Sequence, residues 1–439
     1  MRYPAKISKI HLFKLSVPIF FANLALPFVG LVDTALMGHL ENTKYLAATS
    51  IATSSISLIF WSFGFLRMGT TGIVAQSLGK GDYREIVLTI VRNLYFAIIV
   101  GFTIIFLKYP ILNLISYFFN VSNETYILIQ KYISIRLFSA PAEFVMYVLV
   151  GLYLGLQKTK ISSLIISFFS ILNIILSIYF VKKLNLDIAG VALGTTLSAY
   201  ATIIIFLFFT YNFFIKNFKI IPRLKRVFVG KKIFKLFVLN SDIFIRTLLI
   251  TFAFLWFTYQ SSILSEDFLA VNSILFQFII LSAFFLDAYA FSTEGVVGFA
   301  FGRKVLKPFL FAVNNSFKLS FFSSLIISLL FILLSKDIIN QLTDIEYLRF
   351  LSYEFIIWVV LIPPIASFCY QFDGVFIGTS QTKAMRNSMI VSVFLYVLSS
   401  LFLVKTFNNH GLWLSLLLFM LFRSLTLKFY FSSILKKFK

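Results

Sequence analysis

Seven acidic side chains lie within long apolar runs of this chain, where an ionisable residue needs a physical reason, and four arginines are the candidate bases that accompany them. A charged residue at the centre of a membrane-spanning helix costs at least about 2.5–3.5 kcal/mol on insertion scales. Such residues therefore face the protein interior, where they pair or bind protons, ions or charged substrates. The acids are Asp33, Glu143, Asp242, Asp287, Glu294, Glu354 and Asp373, and the candidate internal bases are Arg67, Arg136, Arg246 and Arg423.

Asp33 is the strongest candidate for proton chemistry. It follows the apolar run PFVGLV, has no basic residue within one helical turn, and shares its segment with Pro18 and Pro27. Burial disfavours the ionised form of a carboxyl group, so such a group can take up and release a proton at physiological pH. Proline leaves a helix carbonyl without its hydrogen bond and permits bending, so the helix could respond to that proton. The alternative is that Asp33 caps the outer end of the helix.

The acids of the second half could hold a proton, a cation or a positively charged substrate. Asp287 and Glu294 are seven residues apart and are predicted to lie on one face of a helix. Asp242 and Arg246 are four residues apart and can pair on one face of a helix, with either a structural or a functional role. Asp373 could cap a helix or form an ion pair.

Long apolar segments must position these charges. Of the 439 residues, 59% are hydrophobic and only 13% are charged, against about 25% charged in a soluble domain. The composition excludes a soluble or disordered protein, and the single Cys369 excludes a disulfide scaffold. Because about 20 apolar residues span a bilayer, we predict twelve transmembrane helices. They lie near residues 12–37, 45–78, 87–109, 126–154, 161–181, 189–214, 234–262, 268–301, 310–335, 350–377, 386–405 and 411–432.

The distribution of Lys and Arg predicts the orientation of these helices. With a cytoplasmic N-terminus, the loops and tails on the cytoplasmic side carry most of the Lys and Arg residues outside the helices, and the opposite loops carry few. This excess places both termini in the cytoplasm and accounts for the net charge of +22 without nucleic acid. We predict an N-lobe over 1–214, a basic cytoplasmic linker over 215–233 and a C-lobe over 234–439, with no cleaved signal peptide.

The two halves of the sequence repeat at a constant offset. YLAATSI at 45–51 matches FLAVNSI at 268–274, and GLYLGLQKTK at 151–160 matches GVFIGTSQTK at 374–383 in the same register. Because each half contains six predicted helices, both halves enter the membrane from the same side and the repeats are parallel. Transporters are commonly built from such repeats, with substrate sites at the repeat interface.

Enzyme chemistry is not indicated. The three histidines, His11, His39 and His410, lie at predicted helix ends or in loops and lack a metal-binding spacing such as HExxH. Cys369 has no evident partner, and no GxxxxGK[ST] phosphate loop occurs. We therefore predict no enzymatic activity and no organic cofactor.

Several runs resemble a known family of transporters. LSVPIFFANLALPFVGLVDTALMGHL, followed by FLRMGTTGIVAQSLGKGD, resembles the start of multidrug and toxic compound extrusion (MATE) transporters. SDIFIRTLLI, FLDAYAFSTEGVVGFAFG and DGVFIGTSQTKAMRNSM resemble its DinF (DNA-damage-inducible protein F) branch. The resemblance spans essentially the whole chain. It implies an all-α membrane protein of twelve helices, arranged as two pseudo-symmetric six-helix lobes in a V, and export driven by a proton or sodium gradient.

The resemblance also implies site residues. The first-helix aspartate that couples transport in the N-lobe falls on Asp33, and its polar neighbours fall on Tyr132, Asn173 and Thr195. The fifth helix of the family usually reads N-x-x-x-D, whereas this chain has Ser177 at the last position. Asp33 then acts with neutral ligands alone, or the C-lobe acids share the work. The C-lobe residues that match DinF-type positions are Arg246, Asp287, Glu294 and Asp373.

The sequence thus predicts a cation-coupled antiporter that exports organic, cationic or amphipathic compounds by alternating access. The proton is the preferred coupling ion, and sodium bound by Asp33, Asn173 and Thr195 is the alternative. A lipid-linked precursor flippase of the same superfamily is the alternative function, although it would need a basic cavity for pyrophosphate. We expect a monomer in a bacterial inner membrane that contacts lipid and a small organic substrate.

Overall fold

The computed structural model describes residues 8–40, 43–119, 121–218 and 227–438. These residues form helices joined by short connections, and no strand occurs among them. The middle of the predicted basic linker lies outside the described residues, as do the first seven residues, the pair 41–42, and residues 120 and 439.

Long helices dominate each half of the described chain. In chain order they are α1 (Lys9–Gly38), α2 (Thr43–Ser62), α3 (Phe65–Lys80), α4 (Tyr83–Phe106), α5 (Lys108–Phe118), α6 (Asn123–Arg136), α7 (Ala140–Gly155), α8 (Thr159–Lys182), α9 (Asp187–Phe218), α10 (Gly230–Leu264), α11 (Glu266–Gly302), α12 (Leu306–Leu342), α13 (Glu346–Glu354), α14 (Ile356–Gly378) and α15 (Thr382–Leu435). Short 3₁₀ turns cover Leu137–Ser139 and Lys436–Phe438.

Eleven stretches of the described helices are long and apolar enough to span a membrane. The last stretch consists of two helices, because Asn408 interrupts α15 with non-helical angles of φ 50° and ψ −130°. Side chains hold this break in place: Asn272 Nδ2 donates to Asn409 Oδ1 over 2.7 Å, and Trp413 Nε1 donates to Asn272 Oδ1 over 2.8 Å. The twelve predicted transmembrane helices are therefore confirmed.

The outer faces of the helices are apolar. Phe106 and Phe429, for example, are 81% and 79% exposed, which would be costly in water and is favourable in lipid. Charged side chains of the same helices, among them Asp33 and Arg423, are buried instead. This distribution is that of a multi-pass membrane protein.

The helix boundaries repeat in the predicted register. α4 begins at Tyr83 and α12 begins at Leu306, and these two positions correspond under the offset that aligns YLAATSI with FLAVNSI. The backbone follows the same rule, since the corresponding residues Gln157 and Ser380 have the positive φ angles 56° and 52°. The internal repeat is thus present in the backbone as well as in the sequence.

The described chain separates into two compact units, the first over 21–236 and the second over 8–20 with 237–438. The first unit therefore begins later than the predicted N-lobe, because the start of α1 belongs to the second unit. There, Ser16 Oγ lies 2.8 Å from Ser292 Oγ. The helix α1 continues through both Pro18 and Pro27 without interruption.

Glycines allow pairs of helices to touch at their backbones within each unit. A Cβ atom added to Gly151 of α7 would lie 2.4 Å from the carbonyl oxygen of Arg67 in α3. In the second unit, a Cβ atom on Gly374 of α14 would lie 2.6 Å from the carbonyl oxygen of Ala290 in α11. Each glycine is followed by another four residues later, the spacing that permits close helix packing in membranes.

We expect Gly151→Ala to destabilise the protein by about 1–3 kcal/mol, because its methyl group would overlap the Arg67 carbonyl group. A lower midpoint of thermal unfolding in detergent would report this loss. Gly30→Ala is the matched control, since no atom lies within 4 Å of its added methyl group. Equal midpoints for the two variants would contradict the packing interpretation.

Candidate functional site

The first unit surrounds Asp33 with polar side chains from other helices. Asp33 is 6% exposed, and its Oδ1 atom is buried without a hydrogen-bond partner. The Ser177 hydroxyl of α8 forms a hydrogen bond with the Asp33 carboxyl group, and Arg136 of α6 is close enough for its charge to act on it. No base lies near Asp33 along α1, so this positive charge comes from a helix distant in sequence.

A hydrogen-bonded chain continues from Ser177 across α8 and α9. Ser177 Oγ lies 3.3 Å from Asn173 Oδ1, and Asn173 Nδ2 donates to Thr195 Oγ1 over 2.8 Å. Asn173 and Ser177 are four residues apart and share one face of α8. All three side chains are buried. The structure thus brings these sequence-predicted residues into one network, and their role in ion coupling stays a prediction.

A buried ion pair lies on the other side of Asp33. Tyr132 is 2% exposed and forms a hydrogen bond with Arg136, one turn further along α6. Arg136 donates to both Glu143 and Ser139, and Ser139 Oγ lies 2.8 Å from Glu143 Oε1. The ring of Phe60 covers the guanidinium group at 5.0 Å. Arg136 and Glu143 are therefore functional candidates that the sequence analysis left outside the Asp33 site.

The local sequence explains how this ion pair forms. α6 ends at Arg136, and a single 3₁₀ turn leads into α7, which begins with Ala140 and Pro141. Proline is tolerated in the first turn of a helix because no amide hydrogen is needed there. The chain stays helical through the junction, so positions 136, 139 and 143 lie on one face. This spacing of Arg, Ser and Glu around a proline is the sequence signal that could have indicated the pair.

The second unit contains a separate ion cluster around Asp373. Arg246 of α10 and Arg423 of α15 both donate to Asp373 Oδ2, Arg423 over 2.8 Å. The arginines are 7% and 2% exposed and Asp373 is 6% exposed. The Tyr370 ring lies 5.7 Å from the Arg423 guanidinium carbon, and the charge of Asp287 acts on the same tyrosine. Asp373 therefore pairs and does not cap a helix.

The ion pair that the spacing of Asp242 and Arg246 allows is not formed. Asp242 accepts hydrogen bonds from Arg386 over 2.7 Å and from Thr382 over 2.9 Å, both at the start of α15. Arg246 binds Asp373 instead. A pair four residues apart on a helix contributes only about 0.2–0.5 kcal/mol, so partners from neighbouring helices decide the pairing.

The remaining acids occupy different environments. Glu294 is 1% exposed, and its backbone carbonyl oxygen would lie 2.6 Å from a Cβ atom on Gly378. Asp287 is half-buried near Tyr370. Because Gly378 and Tyr370 both belong to α14, these two acids lie along the α11–α14 contact. Glu354 is exposed at the end of α13 and does not lie inside the protein as the sequence suggested.

Comparison with known families follows the two halves of the chain. The MatE family model matches residues 18–179 and again residues 243–403. The chain belongs to the MatE family. One match falls in each half of the chain, which agrees with the repeat seen in the sequence and in the helices.

Individual relatives support the same assignment. The chain is 32% identical over 416 residues to DNA damage-inducible protein F of Escherichia coli, covering 95% of this chain and 90% of that protein. It is 23% identical over 202 residues to the multidrug export protein MepA of Staphylococcus aureus, covering 46% of this chain and 44% of MepA. The resemblance to the DinF branch of MATE transporters is thereby confirmed. The family is one of membrane transporters, not of enzymes.

The fold also matches that of a MOP superfamily transporter from Pyrococcus furiosus. The TM-score is 0.87 at 19% sequence identity, over 98% of this chain and 97% of the other. At this identity the match concerns the fold alone. It agrees with the all-helical MATE architecture that the sequence predicted.

We expect Asp373→Asn to destabilise the protein by about 3–5 kcal/mol, because two buried guanidinium groups would lose the carboxylate that they share. Chemical or thermal unfolding of the purified protein measures this change. Asp344→Asn is the matched control, since its 3.1 Å pair with Arg349 involves a fully exposed aspartate and such pairs contribute little. An Asp373→Asn variant as stable as the control would contradict the charge assignment.

Proposed function

We propose that this MatE-family protein is an antiporter that exports organic, cationic or amphipathic compounds in exchange for protons. The observation that carries the proposal is the buried Asp33 carboxyl group, which has one oxygen without a partner and is bonded to the polar chain of α8. The similarity of the chain to DinF of E. coli and to the multidrug exporter MepA supports efflux and does not favour the lipid-linked flippase.

The mechanism assigned to this site is alternating access. A proton arriving from outside neutralises Asp33 and changes its hydrogen bond with Ser177, and α1 bends near Pro18 or Pro27. The bent helix reduces the space for the substrate, which leaves. Coupling requires that protonation stabilise one conformation more than the other, since only such a difference in free energy shifts the equilibrium.

The proposal includes the surroundings in which the transporter works. The protein lies as a monomer in a bacterial inner membrane, with both termini in the cytoplasm as the distribution of Lys and Arg predicts. The transporter uses no organic cofactor, and the proton is its coupling ion. Sodium held by Asp33, Asn173 and Thr195 is the alternative coupling ion. A substrate with cationic and aromatic parts suits a pocket of acids, Phe and Tyr.

We expect Asp33→Asn to slow proton-driven transport by at least about tenfold, a size typical of coupling free energies, while the fold stays intact. Purified protein in liposomes loaded with ethidium, under an imposed pH gradient or sodium gradient, measures this rate. Glu354→Gln is the matched control, because that acid is exposed and should leave transport unchanged.

The two gradients separate the possible failures of this proposal. Transport driven by sodium alone would overturn the choice of the proton. Unchanged transport by Asp33→Asn would overturn the role of Asp33. A wild-type protein that moves no dye under either gradient would contradict the export of organic cations and make lipid-linked substrates the next test.

A further inference from the structure

Glu143 belongs to the Asp33 network but has no part in the proposed mechanism so far. It lies on α7 and accepts hydrogen bonds from Arg136 and Ser139. The side chains of Arg136 and Glu143 are only 11% and 8% exposed. Removing both ions from water costs free energy that a buried pair rarely repays as stability. Such a pair in the membrane therefore suggests a role beyond holding the helices together.

Arg136 connects the two carboxyl groups electrostatically. It donates a hydrogen bond to Glu143, and its charge also acts on Asp33. Tyr132 is bonded to Arg136 and is subject to the charges of both acids. These side chains thus form one electrostatic cluster of Asp33, Arg136 and Glu143. A change of charge at one of the three alters the free energy of ionisation of the others.

Other titratable and polar groups border this electrostatic cluster within the described chain. Tyr147 of α7 is subject to the charges of Glu143 and Arg136, and also to that of Arg67 on α3. On the opposite side, α8 and α9 present neutral side chains, beginning with the Ser177 hydroxyl that is bonded to Asp33. Among these neighbours, Arg136 is the base whose charge acts directly on Asp33.

The choice of partner by Arg136 determines what Asp33 can do. A positive charge beside a carboxyl group favours its ionised form. An Arg136 without another partner would therefore turn to Asp33 and hold it as a carboxylate. When Arg136 is paired with Glu143, the positive charge of Arg136 is balanced by the negative charge of Glu143. The charge of Asp33 then has no balancing charge among these three residues.

We propose that Glu143 is a positioning residue that binds Arg136 and thereby leaves Asp33 free to take up and release the coupling proton. The inference rests on the proposed function, in which Asp33 carries that proton. In this chain Glu143 brings a second carboxylate to the same network from α7.

Infrared difference spectroscopy of the purified protein over a pH series tests this inference, because protonated and ionised carboxyl groups absorb at different frequencies. Asp33→Asn identifies the band of Asp33. We expect Glu143→Gln to move the protonation midpoint of Asp33 to lower pH by about one unit or more, because Arg136 is released toward it. We expect Arg136→Gln to move it to higher pH, and the double variant to lie close to the wild type.

Opposite shifts and their cancellation are results that a merely structural role would not produce. Equal midpoints in all variants, or shifts of the two single variants in one direction, would overturn the inference. Where Glu143→Gln does not fold, Ser139→Ala replaces it, because it removes a hydrogen bond to Glu143. A smaller shift to lower pH supports the inference, and an unchanged midpoint overturns it.

Transport assays on the same variants distinguish this inference from the proposed function. Proton-driven ethidium transport should fall in Glu143→Gln and recover in the double variant with Arg136→Gln. A wild-type protein that moves no dye would refute the proposed function, whereas the infrared midpoints would still decide the role of Glu143.

Discussion

A charged group taken out of water is tolerated only when its charge and its hydrogen bonds are satisfied inside the protein, and the helices of this chain are arranged around that requirement. Arg136 and Glu143 connect α6 to α7 in the first unit. In the second unit Asp373 joins α10, α14 and α15, and Asp242 fixes the start of α15 to α10. The hydrophobic effect does not drive helices together in lipid, so these ion pairs and the glycine contacts have an unusually large share in positioning the helices.

The internal repeat shows that the backbone and the chemistry are separable. In the register of the repeat, Asp33 and Ser177 correspond to Trp256 and Ser400. In the second unit Trp256 Nε1 donates to Ser400 Oγ over 2.8 Å, so the same two positions are in contact in both units. One unit places an acid there, and the other places an indole.

The charged cluster of the second unit likewise has no copy in the first. Its central carboxylate, Asp373, corresponds to Val150, and the acid Glu143 of the first unit corresponds to Ala366. Two similar scaffolds thus hold their charges at different positions of the repeat. A repeat detected in the sequence therefore predicts where helices meet but not where chemistry occurs.

The sequence was sufficient to predict the helices, which depend on hydropathy and spacing. It was insufficient to predict which charged side chains pair between helices. Twelve helices follow from apolar runs, and even the break at Asn408 falls between two predicted segments. The pairing of Asp242 could not be predicted, because Arg386 lies 144 residues away and competes with a closer arginine in sequence. For the same reason the sequence could not predict that Arg136 acts on Asp33, because no base is near Asp33 along α1 and Arg136 belongs to α6.

Ser177 gives the polar chain a property that a carboxylate at this position would not have. A hydroxyl group donates one hydrogen and accepts others, and Ser177 lies between the Asp33 carboxyl group and Asn173 Oδ1, 3.3 Å away. When Asp33 is ionised, the hydroxyl hydrogen of Ser177 is attracted to the carboxylate, and the hydrogen bond from Ser177 to Asn173 Oδ1 is weakened. A protonated Asp33 can instead donate to Ser177, whose own hydrogen then turns to Asn173, which is already bonded to Thr195. One proton at α1 would thus redirect the Ser177 hydroxyl of α8, while Asn173 Nδ2 continues to donate to Thr195. The second carboxylate of this network, Glu143, is bound to Arg136 and does not belong to the polar chain of α8 and α9.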